Sequence, residues 1–321
     1  MKDKNVFEMG QRPARGNKTM FFFLLYIIVV QIVVYGIFVA IGWQPESLLT
    51  VGIMQVFGIF IPFLFYLLFT RQKHRDVLKW TTLGRRNTLY LVVITLATIP
   101  IIQVISRLSA IVFFPVISEF MLDLPTYSIW LSLIVVAVFP AFFEEFFIRG
   151  AIFAEYKKLP IIKIALITGL FFGIMHLNFH QAIYAGMLGV LWAYIRYYTR
   201  TIWGPILMHF LNNAIFVLLS YSETYSNWYT ELWATPLRFL LVWGGIALVL
   251  FPVLVVCFKK IRIGHAMSEA IIDVSKTEQN DGDKTEQDDG EKTKIFTWAF
   301  WVVVVIFLLF GSLVEIGVRM I

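Results

Sequence analysis

Two adjacent glutamates, Glu144 and Glu145, lie in Ala-Phe-Phe-Glu-Glu-Phe-Phe-Ile-Arg-Gly at 141–150, a stretch that is otherwise almost wholly apolar. A charged side chain in the middle of a membrane costs about 2.5–3.5 kcal/mol on insertion scales, so a carboxylate pair there marks a functional site by default. Two later apolar stretches also carry isolated polar groups: His176 in Phe-Phe-Gly-Ile-Met-His, and His209 with Asn213 in Met-His-Phe-Leu-Asn-Asn. A carboxylate and a histidine can take a proton from water. A second histidine and an amide can donate to an oxyanion. The chemistry these residues could do together is hydrolysis.

Helical spacing sorts the roles. Glu145 and Arg149 are four apart with the acid first, the favourable order for an ion pair on one helix face. Glu144 is rotated about 100° from Glu145 by the 3.6-residue period and so faces a different neighbour. Two carboxylates at low dielectric do not both ionise without a cation close by. With Arg149 neutralising Glu145, Glu144 is left free as a base or a ligand. Phe172 and His176 share a face, as do His209 and Asn213, while Asn212 lies one residue off and is the weaker candidate. His180, at the turn into the next apolar stretch, reads as a packing residue.

Each group also has a bland reading. The Glu145–Arg149 pair could simply fix helix packing, and His209 with Asn213 could be an interhelical hydrogen-bond contact. A different chemistry stays open as well: Glu144, His176 and His209 could hold a divalent metal such as zinc, with a position left for water. No His-Glu-x-x-His pattern, Gly-rich phosphate loop or nucleophile elbow occurs in the chain.

The elements that must position these groups are membrane helices. The 321-residue chain is 59% hydrophobic with a mean hydropathy of +0.77, and its apolar residues come in long blocks between charged loops. That is the composition of an all-α, polytopic transmembrane bundle. The net charge of +6 comes from basic residues at block ends, with no basic face or aromatic-interleaved arm for nucleic acid. The one cysteine, Cys257, excludes an intrachain disulfide. The first apolar block, Met20–Gly42, is too long for a signal-peptide core and reads as a first span.

Nine spans are expected, at about 20–42, 51–70, 88–118, 128–154, 161–178, 180–197, 202–221, 237–258 and 295–314, about 20 apolar residues being needed to cross the hydrocarbon. The third is long and holds Pro100 and Pro115, so it tilts, kinks or ends in a re-entrant stretch. With nine spans every Lys/Arg-rich loop falls on one side, which the positive-inside rule makes cytoplasmic, together with the N-terminus. The expected organisation is a cytoplasmic basic arm at 1–19, a helical body at 20–258, a charged disordered linker at 259–294 and a last helix at 295–321 added at the periphery of an eight-span body. The linker holds an acidic repeat, Lys-Thr-Glu-Gln-Asn-Asp-Gly-Asp then Lys-Thr-Glu-Gln-Asp-Asp-Gly-Glu, with nothing apolar. Depth raises one conflict. From the cytoplasmic ends, Glu144 and His176 come out roughly 20 Å in, but His209 only about 12 Å, at the helical rise per residue. Three cooperating groups should be level, so either Gly204-Pro205 lies deeper or the helices tilt unequally.

The chain resembles the CPBP family of intramembrane proteases, also called the CAAX protease and bacteriocin-processing or Abi family. The resemblance rests on Glu-Glu-x-x-x-Arg at Glu144, Glu145 and Arg149, Phe-x-x-x-His at Phe172 and His176, and His-x-x-x-Asn at His209 and Asn213. All three motifs occur in order within residues 128–221. The resemblance implies hydrolysis of a peptide bond in a membrane-embedded or membrane-associated peptide. By carry-over Glu144 with His176 activates water, His209 with Asn213 stabilises the oxyanion, and Glu145, Arg149 and Phe172 organise the site. The family is named for metalloproteases, yet these residues also suit a glutamate-dependent route without metal. Family members in bacteria are linked to bacteriocin immunity, so a non-enzymatic immunity or scaffold protein is the second expectation. A proton-coupled transporter ranks third, since no inverted repeat is visible and the acids concentrate in one span.

Overall fold

The computed structural model describes residues 12–42, 47–277 and 295–320. Every regular element among the described residues is helical, as the composition requires. α1 is Arg12–Ala40. α2 runs through Ser47–Ile53, a π-helical stretch Met54–Phe60, and Ile61–Thr70. The short α3 (His74–Leu78) precedes α4 (Arg85–Ser109), and α5 (Val116–Asp123) follows a turn at 110–115. α6 is one long span built of Ile129–Ser132, π-helical Leu133–Val138, Phe139–Glu145, π-helical Phe146–Ile152 and Phe153–Tyr156. Then come α7 (Ile161–Ile174), α8 (Phe179–Thr199), α9 (Trp203–Ser220), α10 (Glu223–Trp233), α11 (Pro236–Thr277) and α12 (Trp298–Arg319).

Among the described residues seven helices are long and apolar enough to cross a membrane: α1, α2, α4, α6, α9, α11 and α12. The chain is therefore a multi-pass helical bundle, with seven such helices where nine spans were expected. The two that fall short are α7, with 14 residues, and α8, which is less apolar. They form an antiparallel hairpin whose backbones touch: a Cβ added to Gly189 of α8 would lie 2.9 Å from Gly169 Cα of α7. The third block behaves as one of its expected alternatives. Its helix passes through Pro100, ends at Ser109, and the chain turns before α5.

α6 occupies the centre, packing against α1, α2, α3, α7 and α9. The π-helical turns of α2 and α6 have a local cause at two places. Pro62 and Pro140 each lie just past a π stretch. Proline offers no N–H and its ring crowds the carbonyl four residues back, and a wider turn relieves both. Wide turns of this kind cluster at functional sites, and here they hold or flank Gln55, Glu144 and Glu145.

Both ends of the chain differ from the expected division. The arm's last residues are helical from Arg12, and Asn17 is fully buried, donating through Nδ2 to Ile295 O at 2.6 Å and Thr297 Oγ1 at 2.9 Å. The segment entering the last helix is thus tied to α1, against which that helix packs. α11 continues through 259–277, where a linker was expected, because Ile261 is buried and His265 packs on Tyr197 and Tyr198 of α8 at 5.3 and 5.4 Å. The acidic repeat, beyond its first two residues, lies outside the described residues.

Candidate active site

The centre of α6 places Glu144 and Glu145 on different neighbours, as the helical offset requires. Glu145 is fully buried and its Oε1 accepts from Arg149 Nη1 at 2.9 Å. The same oxygen accepts from His209 Nδ1 at 2.9 Å. Arg149, also fully buried, donates through Nη2 to Gly189 O at 3.1 Å and lies over the Phe172 ring at 4.2 Å. A Cβ at position 189 would stand 3.2 Å from that guanidinium nitrogen, so glycine is what lets the carbonyl come this close. Charge, two hydrogen bonds and an aromatic face offset the cost of burying this cation, although its Nε has no hydrogen-bond partner among the described residues.

Glu144 is held differently. Its Oε1 accepts from Gln55 Nε2 at 2.9 Å. Its Oε2 has no hydrogen-bond partner among the described residues. Facing that oxygen are His176 Nε2 and His209 Nε2, each at 4.0 Å. Both imidazoles present Nε2 because their other nitrogen is used: His176 Nδ1 donates to Phe172 O at 2.7 Å, and His209 Nδ1 to Glu145. Phe172 stands edge-on to both rings, and Trp192 stacks on His209 at 4.5 Å.

All seven residues predicted from sequence sit in or beside one site. Asn213 joins it through α6: Pro140 cannot supply an N–H to the carbonyl four residues back, that of Val136, and Asn213 Nδ2 donates to it at 2.9 Å. An amide nitrogen carries two hydrogens, so one remains. Asn212 donates to Asn213 Oδ1 at 3.1 Å and holds the amide in place. His180 packs as expected, its Nε2 3.0 Å from Ser106 O. Sequence reasoning missed Gln55, although it is a lone amide within an apolar span, and missed Trp192 and the Gly189 carbonyl.

The start of α9 is covered by neighbouring chain. The 77–81 segment lies against the turn before α9: Ile202 N donates to Lys79 O at 3.3 Å, Thr201 Oγ1 to Thr81 O at 2.5 Å, and Arg196 Nη2 to Val77 O at 3.3 Å. Thr201 and Ile202 are fully buried, so α9 begins beneath this cover, and His209 Nε2 stands 4.0 Å from Glu144 Oε2.

Glu144, His176, His209 and Asn213 line a cavity of about 650 Å³. Its inner wall is apolar, with Phe172, Ala185, Leu188 and Trp192, and residues of α5 and α10 lie across it. The donor set fits a zinc ion poorly. Tetrahedral ligands at ordinary zinc distances stand about 3.3 Å apart, whereas the three candidate ligands are separated by 4.0 Å from oxygen to nitrogen. No group of three or more metal-ligating side chains with metal-holding geometry occurs among the described residues. As placed, the three atoms fit hydrogen bonds of about 2.8 Å to one shared water better than direct ligation.

Comparison with known proteins points to the same segment. Residues 126–215 match the family model described as type II CAAX prenyl endopeptidase Rce1-like, which shows the resemblance read from the three motifs. The Bacillus subtilis (strain 168) protein named "Putative membrane peptidase YdiL" is 30% identical over 119 residues, 37% of this chain. The chain spans about half the length of that curated relative, 47%. No solved structure is significantly similar to the chain.

Proposed function

We propose that the chain is an intramembrane endopeptidase that hydrolyses a peptide bond of a membrane-embedded or membrane-associated peptide with water activated at Glu144. The observation that carries this reading is the unpartnered Glu144 Oε2 facing two imidazole nitrogens at the wall of a largely apolar cavity. The matched family is described as an endopeptidase and the bacterial relative is named as a peptidase, which supports the same chemistry.

In this mechanism Glu144 takes a proton from a water held between its Oε2 and His176 Nε2, and the hydroxide attacks the substrate carbonyl. Gln55 occupies the other carboxylate oxygen, so the base presents one oxygen in one direction. The oxyanion of the tetrahedral intermediate is met by the free N–H of Asn213 and by His209 carrying a second proton on Nε2. Glu145, accepting from Nδ1, holds the ring so that Nε2 faces the site. The C–N bond then breaks, and Glu144 returns its proton to the departing amine. No metal is routed through these steps. The N-terminus lies on the cytoplasmic side in this reading.

The test compares protein termini in membranes from cells carrying wild-type protein or Glu144→Gln at equal levels. Precursors that accumulate in the variant, and new termini that vanish with them, would name substrate and cut site together. Unchanged termini while the variant still rescues a deletion phenotype would sink the reading and leave a binding or scaffold role.

A further inference from the structure

The geometry points to the C-terminal helix α12 as a positioning element for the candidate active site: it fixes the His176 turn by clamping Phe179. This inference rests on the hydrolytic reading of Glu144 and His176, and the clamping helix lies outside the family match at 126–215.

His176 is not in a helix. α7 stops at Ile174, and Met175, His176 and Leu177 carry the chain into α8, with Leu177 at φ +54°. A non-glycine residue in the left-handed region stays there only where its surroundings hold it. Within the turn that hold is Asn178, whose Oδ1 caps α8 by accepting from Gln181 N at 2.8 Å and whose Nδ2 donates to His176 O at 3.2 Å. The next residue, Phe179, is the side chain through which the turn is gripped from outside. Phe307 of α12 meets its ring edge-on at 5.2 Å. Gly311 of α12 lies directly against it, and a Cβ there would fall 2.6 Å from Phe179 Cε1. Phe113, in the turn before α5, closes a third side at 5.2 Å.

α12 grips that third side too. Both carboxylate oxygens of Glu315 accept from Phe114 N at 3.1 Å. Arg319, paired with Glu315 at 2.7 Å, donates to Val112 O at 2.8 Å. One helix therefore holds the ring beside the His176 turn and the loop leading into α5, which lines the cavity. At its other end α12 is anchored by Asn17 and by the contact of Phe300 with Phe171 of α7 at 5.8 Å. Displacing a reacting group by about 1 Å costs about 10²-fold in rate, so a clamp on this turn acts on catalysis without touching substrate.

The experiment uses full-length protein in membranes and two readouts. The first is cleavage, by the mapped termini described above. The second is the rate at which diethylpyrocarbonate modifies His176, read by mass spectrometry against His209, which α12 does not hold. Gly311→Leu drives a side chain into Phe179. It is expected to accumulate normally, to lose about tenfold or more in cleavage, and to expose His176 to faster modification while His209 is unchanged. Phe179→Ala in the Gly311→Leu background makes room for the leucine and is expected to regain cleavage over Gly311→Leu alone. Wild-type modification of His176 in Gly311→Leu would overturn the clamp, as would a change shared equally with His209. If Gly311→Leu does not accumulate, Phe307→Ala opens one side without overlap and must still speed His176 modification. The modification readout stands even if no protein proves to be cleaved, so failure of the clamp and failure of the protease reading are told apart.

Discussion

α6 carries three buried carboxylates, and two of them, Glu144 and Glu155, are held in opposite ways. Glu155, near the end of the helix, has every acceptor occupied: Oε2 by Arg15 Nε at 2.7 Å, and Oε1 by Tyr66 Oη at 2.5 Å and Gln72 Nε2 at 3.1 Å. Beside it Tyr156 donates to Asn17, so the pair ties α1 to α6. Glu144 has one oxygen occupied and the other directed at two imidazoles beyond hydrogen-bond reach. An unpartnered buried polar atom costs about 1–3 kcal/mol. Glu145 also has an oxygen without a hydrogen-bond partner among the described residues, but it is Glu144 whose open oxygen faces two imidazole nitrogens and lines the cavity.

The sharpest way to break this contrast is neutralisation of each acid. Glu144→Gln should lower cleavage by about 10²-fold or more, the usual contribution of a general base, with membrane accumulation unchanged. Comparable loss of accumulation would make Glu144 structural after all. Gln55→Leu removes the hydrogen bond that orients Glu144 and should cost about tenfold in cleavage, matching a charged hydrogen bond of roughly 1.5–3 kcal/mol. Full activity in that variant would show that the carboxylate is held by something else. Glu155→Ala should do the reverse of Glu144→Gln. It leaves Tyr66 and Gln72 without their acceptor and should lower stability by about 1–3 kcal/mol, read as thermal unfolding in detergent. The folded fraction should cleave at close to the wild-type rate. The smallest effect is expected from a chelator of divalent metals, which should change the rate by less than about twofold if water is activated as proposed. Strong inhibition reversed by zinc would move the three groups into a metal's coordination sphere instead.

What sequence could reveal here was whatever is periodic. The i, i+4 pairs Glu145–Arg149 and His209–Asn213 and the offset of Glu144 are consequences of helical pitch, and all of them survive in the structure. Gln55 was not legible because its role depends on which span lies next to α6, and no spacing within one helix carries that. Hydropathy marks α7 and α8 as apolar, but carries neither the 14-residue length of α7 nor how closely the two helices pair. Counting residues from a helix end does not reveal the 77–81 segment that covers the start of α9. The contacts that tether the last helix, from Asn17 and Phe179, were not legible because they come from the other end and the middle of the chain.

The 14-residue length of α7 has a consequence for the lipid around it. At the helical rise it reaches about 21 Å, against a hydrocarbon layer of about 30 Å. The shortfall is hydrophobic mismatch, which a bilayer meets by thinning beside the short element. With the function proposed above, headgroups and water would then be drawn toward the polar turn of His176, Asn178 and Gln181, shortening the path by which the hydrolytic water arrives. The enzyme would then sense membrane thickness: in vesicles of longer-chain phosphatidylcholine thinning costs more, and turnover should fall with acyl length while the protein stays folded.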